Sequence, residues 1–84
     1  MNEPLIIRRQ LTVLLRDGLH MSPLSQINRL ACAFSGSVLI HRGDYTADAK
    51  SMVDLLQLNA QHGTMLLIEV GGNDAEQLID AVAR

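Results

Sequence analysis

Aromatic side chains are almost absent from this chain of 84 residues: Phe34 and Tyr45 are the two, and there is no tryptophan. Nucleic-acid platforms stack bases on several rings set among clustered Lys and Arg. Two rings and a formal charge of −2 cannot build one. Cysteine is nearly absent too, with Cys32 alone. One thiol excludes an internal disulfide framework and supplies no metal-ligand set. Its place on the apolar side of the first helical pattern predicts a buried small hydrophobe. No apolar run approaches the roughly 20 residues that span a bilayer. The N-terminus lacks the apolar core and small-residue cleavage site of a signal peptide. A cytoplasmic protein is therefore expected, with neither nucleic acid nor membrane as partner. Among the three histidines, His41 and His62 read as solvated surface, and no ligand spacing joins them to His20. No metal and no cofactor are expected. With no linker, repeat or low-complexity stretch, residues 1–84 read as a single domain.

What is present is a set of alternating periods. Hydrophobic residues make up 48% of the chain, enough for a core without staples. Arg8 to Leu15 reads as a strand with Leu11, Val13 and Leu15 inward. Ser22 to Phe34 reads as a helix, with Leu24, Ile27, Ala31 and Phe34 on one face. Ser37 to His41 is a second strand, Arg42-Gly43-Asp44 a tight turn, and Tyr45 to Ala49 a short third strand. Ser51 and Asp54 are spaced as a capping box that opens a short helix, which Asn59 can stop in the left-handed conformation. His62-Gly63 turns into Thr64 to Val70, the most apolar strand, and Gly71-Gly72 breaks it. Asn73 is expected to cap a last helix that buries Ala75, Leu78, Ile79 and Val82. The order is βαββαβα. Strands this short need helices on one face, so the fold class is α+β: an open antiparallel sheet covered on one side.

The segment Gly18-Leu19-His20-Met21-Ser22-Pro23 carries the chemistry. It puts a histidine between the end of a strand and the start of a helix. Pro23 suits a first helical turn, where its missing N–H has no partner to lose. A side chain at that junction meets free backbone N–H groups and the positive end of a helix dipole, which favour an anion. His20 there can carry a phosphoryl group, with the amides of Met21 and Ser22 and the Ser22 hydroxyl on the phosphate oxygens.

Taken together, these motifs resemble the histidine-containing phosphocarrier protein (HPr) family of the bacterial sugar phosphotransferase system. Gly18-Leu19-His20 followed by Pro23 is similar to the family's Gly-(Leu/Ile)-His-(Ala/Thr)-Arg-Pro. Phe34 falls where the family's first helix ends in an aromatic. Ala49-Lys50-Ser51-Met52 is similar to its regulatory serine segment, and Gly63-Thr64 and the final helix agree in spacing. The resemblance implies an open-faced β-sandwich with a four-stranded antiparallel sheet in the order 1-4-2-3. It implies that an enzyme I-like, phosphoenolpyruvate-dependent kinase phosphorylates Nδ1 of His20, and that an acceptor domain removes the phosphoryl group. The chain is then a carrier rather than an independent catalyst. The resemblance also implies a serine kinase acting on Ser51 and a partner-docking patch of Met52, Val53 and Leu56.

Three departures stand out. Ser22 occupies the place of the family's arginine, whose charge-assisted bonds are each worth roughly 1.5–3 kcal/mol. Met21 is bulkier than the usual small residue. Asp54 puts a negative charge where the family usually has glycine, within the docking segment. They open an alternative reading: a regulatory paralogue switched by Ser51 phosphorylation, with weak or no phosphotransfer. Finally, alternation leaves Leu14, Leu39, Met65 and Leu67 on the uncovered sheet face. With strands in the order 1-4-2-3 they are expected to form one apolar patch that supports a weak homodimer.

Overall fold

The computed structural model describes residues 6–82. The strands are β1 (Ile6–Thr12), β2 (Ser37–Arg42), β3 (Tyr45–Asp48) and β4 (Met65–Gly71). The helices are α1 (Met21–Ala33), α2 (Met52–Leu56) and α3 (Ala75–Val82). Their order along the chain is the βαββαβα expected from the sequence. All strand pairings are antiparallel, in the sheet order β1-β4-β2-β3. β4 is a central strand and alternates accordingly: Leu66, Ile68 and Val70 are buried, whereas Met65, Leu67 and Glu69 face outward. Val38 and Ile40 of β2 are buried on the same side. Leu24, Ile27 and Ala31 of α1, Leu55 of α2, and Ala75, Leu78 and Ile79 of α3 close one continuous core against them. At the tightest crossing, a Cβ on Gly36 would collide with the Gly71 carbonyl and press on the Phe34 ring.

Three local expectations are corrected. β1 ends at Thr12, and the chain leaves the sheet after Val13, whose N–H and C=O bond Thr64 and Gly63 at 2.9 and 2.8 Å. Leu15 therefore does not continue the inward alternation and is 48% exposed, at the rim of an apolar cleft of about 270 Å³ that Leu11, Leu19 and Val82 also line. Cys32 is exposed, one position beyond the buried Ala31. Its thiol lies 3.6 Å from the Lys50 carbonyl. The last helix begins at Ala75, and Asp74, in the left-handed region at φ 65°, supplies the first helical acceptor to Leu78 N–H. Asn73 stands one residue too early to be that cap. Arg9 shares the parity of the inward positions but sits on the edge strand, and it reaches Asp80 of α3 at 2.7 Å.

The uncovered face also differs from the expected apolar patch. Register sets Glu69 beside Leu39 and His41 beside Leu67. His41 is half-buried rather than a solvated strand end. Its Nδ1 lies 2.8 Å from Thr46 Oγ1 and its Nε2 3.1 Å from Glu69 Oε1. Arg8 Nε adds a 3.5 Å contact to the same carboxylate oxygen. Leu14, at 79% exposure, and Met65 are exposed, whereas Leu39 and Leu67 are half-buried and each has an ionisable residue as its cross-strand partner.

α2 is too short to hold itself as a helix. Leu55 is its one buried side chain. Leu55→Ala is expected to cost about 2–5 kcal/mol, the range for emptying a buried leucine site, and to melt α2 first. Urea unfolding with amide exchange across residues 52–58 checks both.

Candidate functional site

The strand-to-helix junction is built from the loop upward. Gly18 has φ 73°, and a Cβ there would stand 2.6 Å from the Ala60 carbonyl oxygen and 2.8 Å from Gln61 Cα. Glycine is therefore required both for the backbone conformation and for the space. One residue on, Leu19 N–H donates to the Ala60 carbonyl at 2.7 Å. The loop before α1 is thus fastened to the loop after α2. Asn59, at φ 49°, makes the left-handed turn that delivers Ala60.

His20 follows as the N-cap residue of α1, with extended backbone (φ −98°, ψ −170°). Its carbonyl accepts the first helical bond, from Leu24 N–H at 3.0 Å. Its ring is exposed and makes no capping hydrogen bond, so the expected approach of a ring nitrogen to the helix amides is not seen. Pro23 has no N–H, and Leu24 has spent its own. The amides of Met21 and Ser22 are then the open donors of the first turn. Met21, at 59% exposure, and Ser22 both face solvent. What this end of α1 offers is an exposed imidazole, two open backbone donors and an exposed serine, with no basic side chain in its first turn.

The second segment lies along α1. Asn28 Nδ2 donates to the Ala49 carbonyl at 3.1 Å, one turn before the Cys32 thiol meets Lys50. These contacts hold the chain just ahead of Ser51. Ser51 caps α2 as expected: its hydroxyl accepts from Asp54 N–H at 3.3 Å. The other half of the capping box is not formed. Asp54 Oδ2 accepts from Asp48 N–H at 3.1 Å and so turns toward β3 instead of back to Ser51. Its charge is half-buried there. In the docking segment, Val53 and Leu56 are 64% and 45% exposed. Met52 is half-buried against the core, because its position in the first turn faces the sheet side. Among the described residues, no three His, Cys, Asp or Glu side chains gather as a metal site. None of the described helices is long and apolar enough to cross a membrane.

Sequence reasoning missed Tyr45. Its hydroxyl donates to the Asp54 carbonyl at 2.8 Å and lies 3.4 Å from Gln57 Oε1, tying β3 to the middle and the C-terminal end of α2. The signal available was a single aromatic in a short strand next to a short helix. Burial first, and the negative charge of Asp54 second, raise the phenol's pKa above its ordinary value of about 10.

The fold is an α+β frame that presents an exposed histidine at the mouth of a helix, the arrangement of a small carrier module. The match to known proteins makes the class specific. The family model described as "PTS HPr component phosphorylation site" covers residues 7–84. The HPr of Haemophilus influenzae is 32% identical over 72 residues, covering 86% of this chain and 85% of that protein. A multiphosphoryl transfer protein of Xanthomonas campestris is 36% identical over 72 residues, and the chain spans only 9% of its length. The crystal structure of HPr from Bacillus anthracis superposes with a TM-score of 0.86 at 28% identity, covering 93% of each chain. The chain belongs to the HPr family, the phosphocarriers of the phosphotransferase system.

Because the folded pKa of Tyr45 lies above the unfolded one, its contribution to stability is complete below about pH 10 and is lost as pH rises through the folded value. Tyr45→Phe is expected to remove that alkaline loss while lowering stability modestly at neutral pH, where the hydrogen bond to the Asp54 carbonyl is lost. Thermal melts of both proteins between pH 7 and pH 11 check the sign.

Proposed function

We propose that His20 is the phosphoryl acceptor of this phosphocarrier, charged by an enzyme I-like kinase at the expense of phosphoenolpyruvate and discharged by an acceptor domain of the same system. The single observation that carries the reading is the exposed, uncapped imidazole of His20 at the N-terminus of α1. In the loading step the ring nitrogen's lone pair forms an N–P bond as the bond between phosphorus and the donor breaks. In the unloading step the same bond breaks toward the acceptor. The phosphoryl group brings negative charge to a helix end that favours it. The amides of Met21 and Ser22 and the Ser22 hydroxyl are the donors for its oxygens. Val53 and Leu56, exposed on the neighbouring α2, form the apolar part of the partner contact, with Met52 behind them. The reading includes the cytoplasmic location expected from the sequence.

Ser51 is the second phosphorylation site in this reading, acted on by an ATP-dependent serine kinase. A phosphate there keeps the favourable helix end but faces the nearby Asp54 carboxylate. Its role is regulatory, superimposed on the carrier function. Domains of this family also occur in a dihydroxyacetone-kinase phosphoryl donor subunit of Providencia stuartii, 30% identical over 77% of this chain and spanning 14% of that protein. An acceptor outside sugar uptake is therefore within the chemistry.

The test is incubation with phosphoenolpyruvate and enzyme I, followed by mass measurement. One acid-labile phosphate is expected on the native chain and none on His20→Ala. A phosphate that survives His20→Ala or resists acid overturns the assignment. Ser22→Arg supplies charge-assisted bonds of roughly 1.5–3 kcal/mol each, and is expected to raise the rate of phosphoryl transfer about tenfold. An unchanged rate with a competent enzyme I means that the guanidinium is not what limits this protein.

A further inference from the structure

The sheet face opposite the helices is ordered in rows by the register. One row crosses β1, β4, β2 and β3 as Arg8, Glu69, Leu39 and Asp48. The next crosses as Gln10, Leu67, His41 and Thr46. The first row has a cation at the β1 edge and an anion at the β3 edge. Its central charge is already partnered, since Glu69 Oε1 lies 3.1 Å from His41 Nε2 and 3.5 Å from Arg8 Nε. The second His41 nitrogen is taken by Thr46. Covering this face therefore strands no ionic group in its centre, which is the usual obstacle to burying one.

We propose that this face is the interface of a homodimer whose two-fold axis runs parallel to the strands. Such an axis lays β1 of one protomer over β3 of its partner, and β4 over β2. Arg8 then meets Asp48 of the partner subunit, and the symmetry makes that pair twice. Leu39 covers the neutralised Glu69 of the partner subunit, and Leu67 packs on the ring of the partner subunit's His41. A two-fold axis across the strands would lay each strand on itself and set the Arg8 edges against each other, and the Asp48 edges likewise. Like charges so juxtaposed are disfavoured, which selects the parallel axis. With strands about 4.8 Å apart and about 3.4 Å per residue, the four-stranded face of each protomer offers roughly 400 Å², or about 800 Å² for the two together. That is below the 1,200–2,000 Å² of stable complexes, so the dimer is weak and reversible. The α1 and α2 surface lies on the other side of the sheet and stays free.

Sedimentation velocity from about 10 μM to about 1 mM covers the range in which so small an interface associates. Native protein is expected to shift from monomer toward dimer. Arg8→Asp and Asp48→Arg, each alone, are expected to weaken association about tenfold or more, since each sets like charges together twice. A mixture of the two variants is expected to associate better than either one alone, because every crossed pair is again of opposite sign. Circular dichroism of each variant verifies that the monomer still folds. A variant that does not fold is replaced by Asp48→Lys or Arg8→Glu, for which the same crossed rescue is required. Native protein that stays monomeric throughout, or a dimer indifferent to both reversals with no gain on mixing, overturns the proposal.

Discussion

The hydrogen bond from Leu19 N–H to the Ala60 carbonyl is the constraint on which the site depends. It joins two loops that enter and leave different helices, and it does so one residue before His20. Gly18 makes the approach possible, because any Cβ would stand within about 3 Å of Ala60 and Gln61 backbone atoms. Within the first turn of α1 the histidine is held only through its carbonyl, which accepts from Leu24 N–H, since its side chain caps nothing. A carrier has to present one nitrogen to two different proteins in turn. In the proposed role, a backbone held at this point spares His20 part of the reorganisation that each encounter would otherwise need.

The same economy appears around Ser51. Asn28 and Cys32, one helical turn apart on α1, hold the carbonyls of Ala49 and Lys50. Tyr45 holds the α2 carbonyl of Asp54 from the other side. Five residues of helix would not persist alone. They persist here because Leu55 is buried, Ser51 caps the start, and the flanking loop is fastened to α1. The exposed Val53 and Leu56 are thereby displayed on a support whose own residues are spent on holding it.

Much of this was legible in the sequence. Alternation in Val38–Ile40 and Leu66–Val70 identified the inner faces of the two central strands, because a strand paired on both sides cannot slip without turning its apolar set outward. Pro23 and Ser51 marked helix starts through a missing donor and an available acceptor. The errors fall where one-dimensional patterns stop carrying information. Leu15 continues the period of β1, but the chain has already left the sheet to bond Thr64 and Gly63. Cys32 lies beside the apolar stripe of α1 rather than in it, a rotation of about 100° that composition does not resolve. Asp54 had two backbone N–H groups within reach, and the choice of Asp48 over Ser51 depends on where β3 ends. His41 looked like a solvated strand end, because its partners Thr46 and Glu69 are brought beside it only by pairing of β2 with β3 and β4.

Asp54 bears on how the departures from the family pattern combine. Its carboxylate is engaged by the Asp48 amide, so it does not project toward an incoming partner as a free charge would. The change that matters most for the chemistry is therefore Ser22. A phosphoryl group on His20 brings about two negative charges at neutral pH, and the helix end returns roughly half a positive charge. The amides of Met21 and Ser22 supply directed donors, and the serine hydroxyl supplies one more without charge. In the proposed role the phosphorylated state is held by dipoles, with no guanidinium in the first turn of α1 to share its charge. In that role a phosphoryl group so held is less stabilised and less well poised for transfer than one shared with a guanidinium, so the substitution weakens the chemistry while leaving the frame intact.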